Sequence, residues 1–489
     1  MTNELHSGRK SEYSPANKRL ALLILAIALI VFVTRLPFVT PQIGNDPDSE
    51  RMLRAAHIIR TTGEYERSRF VGFPIPEYAF ALALPLGPPA INALTAMMSA
   101  AAAVFFGLTL RRLGARRYLL AALAMALTPV VYINSTSPND YIWAFAFIMA
   151  ALYFVVSRRL LIAGVMLGLA IGCRAPSILM IIPFALYLAG EEGFKKSWPG
   201  ILKAGIVGAV VGGVCYIPGF LRYGFGLMQY VEIEQYPPLR TLIKRGLVDV
   251  WGVIGLVALA VALFGLIFLR RRAEGARAES TRARYLVPAA WLTAIVLNLA
   301  MFLRLPFKPD YFVPIVPFVL LLLWMYLRRA VFAAVCALLI VSPFVLSLDL
   351  ENTLYDEMGK APDNPSLAFH LLERDLALGL YGPVFADFFN RKLVEDYARA
   401  VIAQVERMPE KTVVVSAFYE PPIALLHGFE NYRDKYLDYL PEDEYERLKR
   451  EGYRIVFLPG AEVDNRLLED FDLEEAGIER LRLDQSGIN

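Results

Sequence analysis

The stretch 43–56, IGNDPDSERMLRAA, sets Asp46, Asp48 and Glu50 at alternate positions just after the first long apolar run. Carboxylates in such a place suit general-base work or the holding of a divalent cation. Asp and Ser are also good helix caps, and the residues that follow read as a helix. Both readings stay open on this segment alone. Other charges expected at the outer ends of apolar runs or in the outer loops are Arg35, Asp140, Arg174, Arg245, Arg304, Lys308 and Asp310. Each falls near the end of an apolar run or in a loop, and none in the middle of one. Ionisable residues at membrane depth are costly and are usually functional. Cations there suit an anionic lipid headgroup, whereas a proton path or ion path would need charges in mid-span. A single basic residue at such a depth also fits interfacial snorkelling.

These residues need a scaffold, and the composition says which kind. The chain has 489 residues, 56% of them hydrophobic and 20% charged. Its mean hydropathy is +0.44. That is too apolar for an average soluble domain and fits a polytopic α-helical membrane protein. The net charge of +3 points to no nucleic-acid partner. Cys173, Cys215 and Cys336 all lie in apolar runs, where they read as small buried hydrophobes. The histidines His6, His57, His370 and His427 are scattered and form no metal motif.

A membrane-crossing helix needs about 20 apolar residues. The candidates are 20–39, 89–110, 118–133, 139–156, 160–173, 177–189, 204–221, 251–269, 285–303, 311–327 and 330–348. No cleavage site follows the first, so a retained helix is expected. The fifth and sixth meet at Arg174-Ala175-Pro176 and form either a tight hairpin or one broken helix. Counting them as two puts most arginine-rich loops on one side, such as Arg111 to Arg117 and Arg270 to Arg284. By the positive-inside rule that side is cytoplasmic, together with the N-terminus. Loop 40–88 and everything past 348 then lie outside. Residues 49–62 read as a helix that Gly63 ends. The stretch 76–86 reads as a helix lying on the membrane. Past 348, helical patterns at 366–380, 391–407 and 442–451 alternate with strand-like runs at 412–416, 454–458 and 479–483. The expected organisation is a transmembrane domain, 1–348, and an extracytoplasmic α/β domain, 349–489.

In order and sidedness these features resemble a polyprenyl-phosphate-sugar glycosyltransferase of the GT-C superfamily. The likeness is to the branch of the protein O-mannosyltransferases and the lipid A aminoarabinose transferases. In the first outer loop, Asp48, Arg51 and Ala56 fit that branch's pattern, and Met52 stands where an aromatic is usual. GEYERSRFVGFPIPEYAFALAL is similar to its approach to an interfacial helix. Asp140 is similar to its second-loop acid. AGVMLGLAIGCRAPSILMIIPF resembles its Gly- and Leu-rich hairpin, with Arg174 at the turn. RLPFKPDYFVPIVPFVLLL is similar to its basic, Tyr- and Pro-containing stretch before a late span.

The resemblance implies a multi-pass protein of the cell (inner) membrane that moves a sugar from a polyprenyl-phosphate donor. The acceptor would be a hydroxyl of a lipid, a glycan or a protein. Asp48 would be the base of an inverting transfer, with Asp46 as second candidate. Arg174, Lys308, Arg304 and Arg245 would hold the donor phosphate. Asp46 and Asp140 would position the acceptor or hold a divalent cation, Glu50 being a further candidate. Two rivals remain from the sequence. One is a polysaccharide polymerase or ligase using diphosphate-linked donors. The other is a membrane transporter.

Overall fold

The structure, a computed structural model, describes residues 15–41, 47–228, 236–269, 281–350, 366–371, 374–416, 420–428, 431–432, 435–459, 461 and 479–481. The helices of the first half are α1 (Pro15–Arg35), α2 (Pro47–Thr62), α3 (Pro74–Ala83), α4 (Pro88–Arg112), α5 (Tyr118–Leu127), α6 (Pro129–Asn134), α7 (Tyr141–Val156) and α8 (Leu160–Cys173). Then come α9 (Ile181–Glu192), α10 (Phe194–Tyr223), α11 (Leu239–Ile243), α12 (Asp249–Phe268), α13 (Thr281–Arg304), α14 (Ile315–Tyr326) and α15 (Arg329–Val341). Proline marks several starts, as a residue with fixed φ and no N–H suits a first helical position. Thr128 is extended (ψ 133) before Pro129, so the third apolar stretch is two helices.

Seven helical stretches among the described residues are long and apolar enough to cross a membrane: Arg19–Phe38, Pro88–Arg112, Ala175–Glu192, Phe194–Met228, Leu239–Phe268, Arg282–Arg304 and Pro309–Tyr326. Shorter apolar helices are α5, α7, α8 and α15. Together they fall on the apolar stretches of the sequence. Much of their surface is apolar yet uncovered by protein. Leu22, Leu25, Val210, Val214, Phe264 and Ile267 are all exposed. Surface of this kind needs lipid, since a water-facing patch so large would drive aggregation.

Two sets of ion pairs give the helices their direction. At one end, Arg174 after α8 reaches Asp140 before α7. At the other, Arg158 after α7 meets Glu191 and Glu192 at the close of α9. So α7 runs away from Asp140, α8 returns, and α9 runs away again. The chain over 160–189 is therefore two oppositely directed segments. Helix α10 then runs parallel to α8, and glycines set their spacing. A Cβ on Gly164 would sit 2.6 Å from the Ala204 carbonyl oxygen. On Gly168 it would sit 2.5 Å from Val211 Cβ, and on Gly172 2.7 Å from Cys215 Sγ. Small residues at every fourth position let two backbones approach, as is common in membranes.

Past α15 the sequence expectation needs two corrections. Helix α15 ends at Val341, and Val345–Leu350 is strand β1, so the last apolar stretch does not stay helical to 348. Pro343 stops it. Where a helix is expected over 366–380, the described residues form strands β2 (Ser366–Leu371) and β3 (Arg374–Tyr381), in an antiparallel sheet of order β1-β3-β2. The reason is legible afterwards. Leu367, Phe369 and Leu371, then Leu376, Leu378 and Leu380, repeat every second residue, the period of a strand. Helix α16 (Pro383–Val405), β4 (Thr412–Val415), α17 (Glu420–His427), β5 (Tyr436–Leu437), α18 (Glu442–Arg450), β6 (Arg454–Phe457) and β7 (Glu479–Arg480) follow among the described residues. Strands β5-β4-β6-β7 form a parallel sheet. Val413, Val414, Val415, Val456 and Phe457 are its buried centre, with Tyr397 and Val401 of α16 packed on it.

This C-terminal region rests on the bundle end that carries Asp140. Phe385 and Phe388 of α16 meet Phe38 edge-on at 5.5 and 5.6 Å. Leu425 of α17 packs into the cluster of Met52 and Leu53 on α2. The close α8–α10 packing yields a test. Gly168→Val should destabilise the protein by about 1–3 kcal/mol, as overpacking does. Thermal unfolding in detergent reads it, and an unchanged melting temperature would contradict the contact.

Candidate functional site

Asp48 lies in the first turn of α2, where the helix dipole favours a carboxylate. It is 6% exposed. Its Oδ1 faces Arg51 Nη1 one turn on, at 3.4 Å. Its Oδ2 receives Nη1 of Arg69 and Nζ of Lys308. Asp140 precedes α7 and is fully buried. It makes no capping bond to its helix. Its Oδ1 instead receives the other terminal nitrogen of Arg69, and its Oδ2 receives Arg174 Nη1 at 2.5 Å. One guanidinium thus bridges two buried carboxylates that the sequence places far apart.

Each cation is held by a local feature. Arg174 follows α8 in extended backbone (φ −153, ψ 112), ahead of the 3-10 helix Ala175–Met180. Its guanidinium lies over the Tyr141 ring at 3.8 Å and the Tyr311 ring at 4.9 Å. Lys308 is extended too (φ −137, ψ 143) before the short 3-10 turn Pro309–Phe312. The loop leading to it is tied by Arg245, whose Nη1 donates to the Pro306 carbonyl at 2.6 Å. Beyond it, Asp310 accepts from Asn134 Nδ2 at 2.8 Å. Arg69 lies over the Phe73 ring at 4.3 Å.

The loop carrying Arg69 is organised by Glu77, a fully buried acid of α3. Its Oε1 accepts from Ser68 N–H (2.8 Å) and Ser68 Oγ (2.7 Å). Its Oε2 accepts from Tyr65 OH (2.6 Å) and Phe73 N–H (3.0 Å). A turn closed by Gly72 N–H on the Arg69 carbonyl lies inside this clamp. It holds Val71 at φ +72, a left-handed conformation that costs a β-branched residue roughly 1–3 kcal/mol. Gly72 has φ +78, and a Cβ there would collide with the Tyr65 hydroxyl.

Electrostatics follow from this packing. Burial alone would raise the pKa of Asp48, but Arg69 and then Lys308 outweigh it and hold it lowered. Burial would lower that of Arg69, but Asp140 and Asp48 raise it further. Burial raises the pKa of Glu77, against the hydrogen bonds from Tyr65 and Ser68. Each Glu77 oxygen accepts two hydrogen bonds from the loop, so this carboxyl is a clamp.

Of the residues singled out in the sequence, Asp48, Asp140, Arg174 and Lys308 come together. Arg245 holds the Lys308 loop. Arg304 ends α13 and is exposed. Glu50 is buried in the first turn of α2. Asp46 lies outside the described residues. Arg69 and Glu77 were not singled out, although both stand in the quoted stretch 63–84. No group of three or more His, Cys, Asp or Glu side chains gathers among the described residues. A divalent cation between Asp48 and Asp140 does not fit, because the Arg69 guanidinium fills that place.

Residues 78–216 match the protein family described as dolichyl-phosphate-mannose-protein mannosyltransferase. The match includes Asp140 and Arg174 and starts after Asp48 and Arg69. No curated protein sequence matches the chain significantly. Among solved structures, the chain is similar to ArnT from Cupriavidus metallidurans bound to undecaprenyl phosphate. That likeness has TM-score 0.50 at 11% identity and covers 96% of this chain and 90% of the other. The apo form of the same protein aligns with TM-score 0.53 at 12% identity, over 93% and 94%. At this identity the likeness is one of fold, extending through the C-terminal region.

The Glu77 clamp is open to test. Glu77→Gln puts an NH₂ group where one carboxylate oxygen accepts, leaving the backbone N–H of Ser68 or Phe73 unpaired. A buried unpaired donor costs about 1–3 kcal/mol. Hydrogen exchange should quicken over 65–73 and the melting temperature should fall; unchanged exchange there would rule the clamp out.

Proposed function

We propose, from the premise that the chain is by fold a GT-C superfamily protein, that it is a membrane glycosyltransferase using a polyprenyl-phosphate sugar. The observation that carries this reading is the pair of buried carboxylates bridged by Arg69, with Lys308 and Arg174 alongside. Four cations, counting Arg51, surround two carboxylates. That excess suits the phosphate of a lipid headgroup, where negative charge grows as the sugar departs.

In the proposed reaction Asp48 takes the proton of an acceptor hydroxyl. The hydroxyl oxygen attacks the anomeric carbon from the face opposite the phosphate. The bond from that carbon to the phosphate oxygen breaks, the configuration inverts, and polyprenyl phosphate leaves with the electron pair. Lys308, Arg69 and Arg174 stabilise it. A positioned base of this kind contributes about 10²–10⁴-fold. The site end of the bundle faces outside in this reading, and 349–489 is an extracytoplasmic domain above it. A transporter is less well supported. The buried charged side chains among the described residues are Arg35, Asp48, Glu50, Glu77, Asp140 and Arg391, and each lies at a helix end or in the C-terminal region.

Incubation of the purified protein with a panel of polyprenyl-phosphate sugars and candidate acceptors tests the reading. Release of polyprenyl phosphate is expected with one of them, and Asp48→Asn should abolish it while leaving the protein folded. Full activity in Asp48→Asn would remove Asp48 from the role and turn attention to Asp46.

The pH profile gives a second test. Asp48 works as a base only when ionised, and its pKa is lowered by Arg69 and Lys308. The acid limb of kcat/KM should lie below the ordinary Asp value of about 3.9. Lys308→Met should move that limb upward, since one stabilising cation is gone. A limb that stays put would show that Lys308 does not act on Asp48.

A further inference from the structure

The segment 134–140, NSTSPND, ends in Asp140, and every residue from Asn134 on is buried. Irregular backbone is seldom buried, because its polar groups then need partners inside the protein. Side chains from three distant parts of the chain meet it. Asp310 accepts from Asn134. Arg35 Nε donates to Ser135 Oγ at 3.0 Å. Arg391, from α16 in the C-terminal region, donates Nη1 to the Thr136 carbonyl at 3.0 Å. Its Nη2 donates to Thr136 Oγ1 at 3.2 Å and to the Phe38 carbonyl at 3.1 Å.

Arg391 is 2% exposed. Its Nε forms an ion pair with Asp387 Oδ2 at 2.9 Å, one turn earlier on α16. A guanidinium is costly to bury, and this one is neutralised by a single neighbour and aimed at two carbonyls and a hydroxyl. Its described partners include neither Asp140 nor any member of the ion cluster. What it holds is the loop that presents Asp140. Asparagine 139 continues that brace, with Nδ2 on the Asn134 carbonyl and Asn134 Oδ1, each at 3.0 Å. The loop is thus pinned at its start, at Thr136 and through Asn139. Asp140 follows directly.

We propose that Arg391 is a positioning residue: from the C-terminal region it fixes the 134–140 loop, so that Asp140 holds Arg69 and Arg174 beside Asp48. The C-terminal region is then part of the reacting geometry and not an appendage to it. The kinetic consequence rests on the transfer reading above; the structural consequence does not.

The test uses the full-length protein in detergent. In Arg391→Met, amide exchange over 134–140 should quicken several-fold while 397–405 of α16 stays protected. Arg391→Lys, which keeps a charge and donors, should restore part of the protection. Transfer should fall about ten- to a hundred-fold in Arg391→Met, the scale of a misplaced site. In an Asp140→Asn background the same substitution should cost less than about twofold, because two changes acting through one group are not additive. Unchanged exchange over 134–140, or a full multiplicative loss in the double variant, would overturn the proposal. If Arg391→Met fails to fold, Thr136→Val removes one acceptor and should give the same pattern more weakly; no change there counts against it. If the wild-type protein transfers no sugar, the functional reading fails while the exchange result still decides the role of Arg391.

Discussion

The arrangement depends on one guanidinium between two buried carboxylates. Asp48 and Asp140 come from α2 and from the loop before α7, and both are almost dry. Two carboxylates brought together out of water would repel, and one would take up a proton. Arg69 prevents this by giving one terminal nitrogen to each. The planar fork suits that bridge in a way the single ammonium of lysine does not. Most of the neighbouring structure can be understood as holding this arginine: the Phe73 ring beneath it, the turn behind it, and the Glu77 clamp that fixes the turn. Removing one partner of a buried ion pair typically costs about 3–5 kcal/mol, since a charge is left stranded. The bridge is therefore a structural commitment, and on the proposed reading a functional feature as well.

Among the described residues, the bundle serves this end of the molecule by keeping charge out of the middle of its long helices. Its middle is held by shape: glycine against backbone between α8 and α10, and stacked rings at Tyr187, Trp291 and Phe318. Packing of this sort needs no polar partner in a lipid environment. The second band of ion pairs, Arg158 with Glu191 and Glu192, closes the opposite end. Chemistry confined to one end suits a lipid whose headgroup lies at the surface and whose tail lies in the bilayer.

How much of this the sequence showed follows from how each residue is marked. Asp48, Asp140, Arg174 and Lys308 stand out because charge beside a long apolar run is rare and visible. Arg69 is hidden among Glu64, Glu66 and Arg67, whose alternation reads as an ordinary solvated loop. Nothing local separates Arg67 from Arg69. Tertiary structure does: Arg67 lies over the Tyr223 ring and bonds the Gly226 carbonyl, while Arg69 turns inward. Glu77 is concealed in a Pro-rich apolar stretch, where one acid looks like the polar face of a surface helix. Its four donors come from residues 65, 68 and 73, which only the folded turn assembles. The strands β2 and β3 resemble a helix in sequence because leucine suits both periods, and only the i, i+2 spacing marks them as strands. Arg391 carries no sequence signal at all, since a lone arginine in an amphipathic helix is usually exposed.

The cations of the site are not equivalent, and their surroundings say which of them can move. Arg69 is held on two carboxylates and a ring, so a phosphate arriving beside it gains attraction without dislodging it. Arg174 is similarly fixed by Asp140 and the faces of Tyr141 and Tyr311. Lys308 is a point charge on a flexible stem, with a quarter of its side chain exposed. On the proposed reading the phosphodiester monoanion of the donor competes with Asp48 for this lysine, and the lysine yields first. Asp48 then loses one of the three cations that lower its pKa, Arg69, Lys308 and Arg51, at the moment the donor is in place. Its basicity rises when there is a sugar to transfer and stays suppressed when there is not. On that reading, the ion pair that assembles the resting site also links binding of the lipid phosphate to the basicity of Asp48.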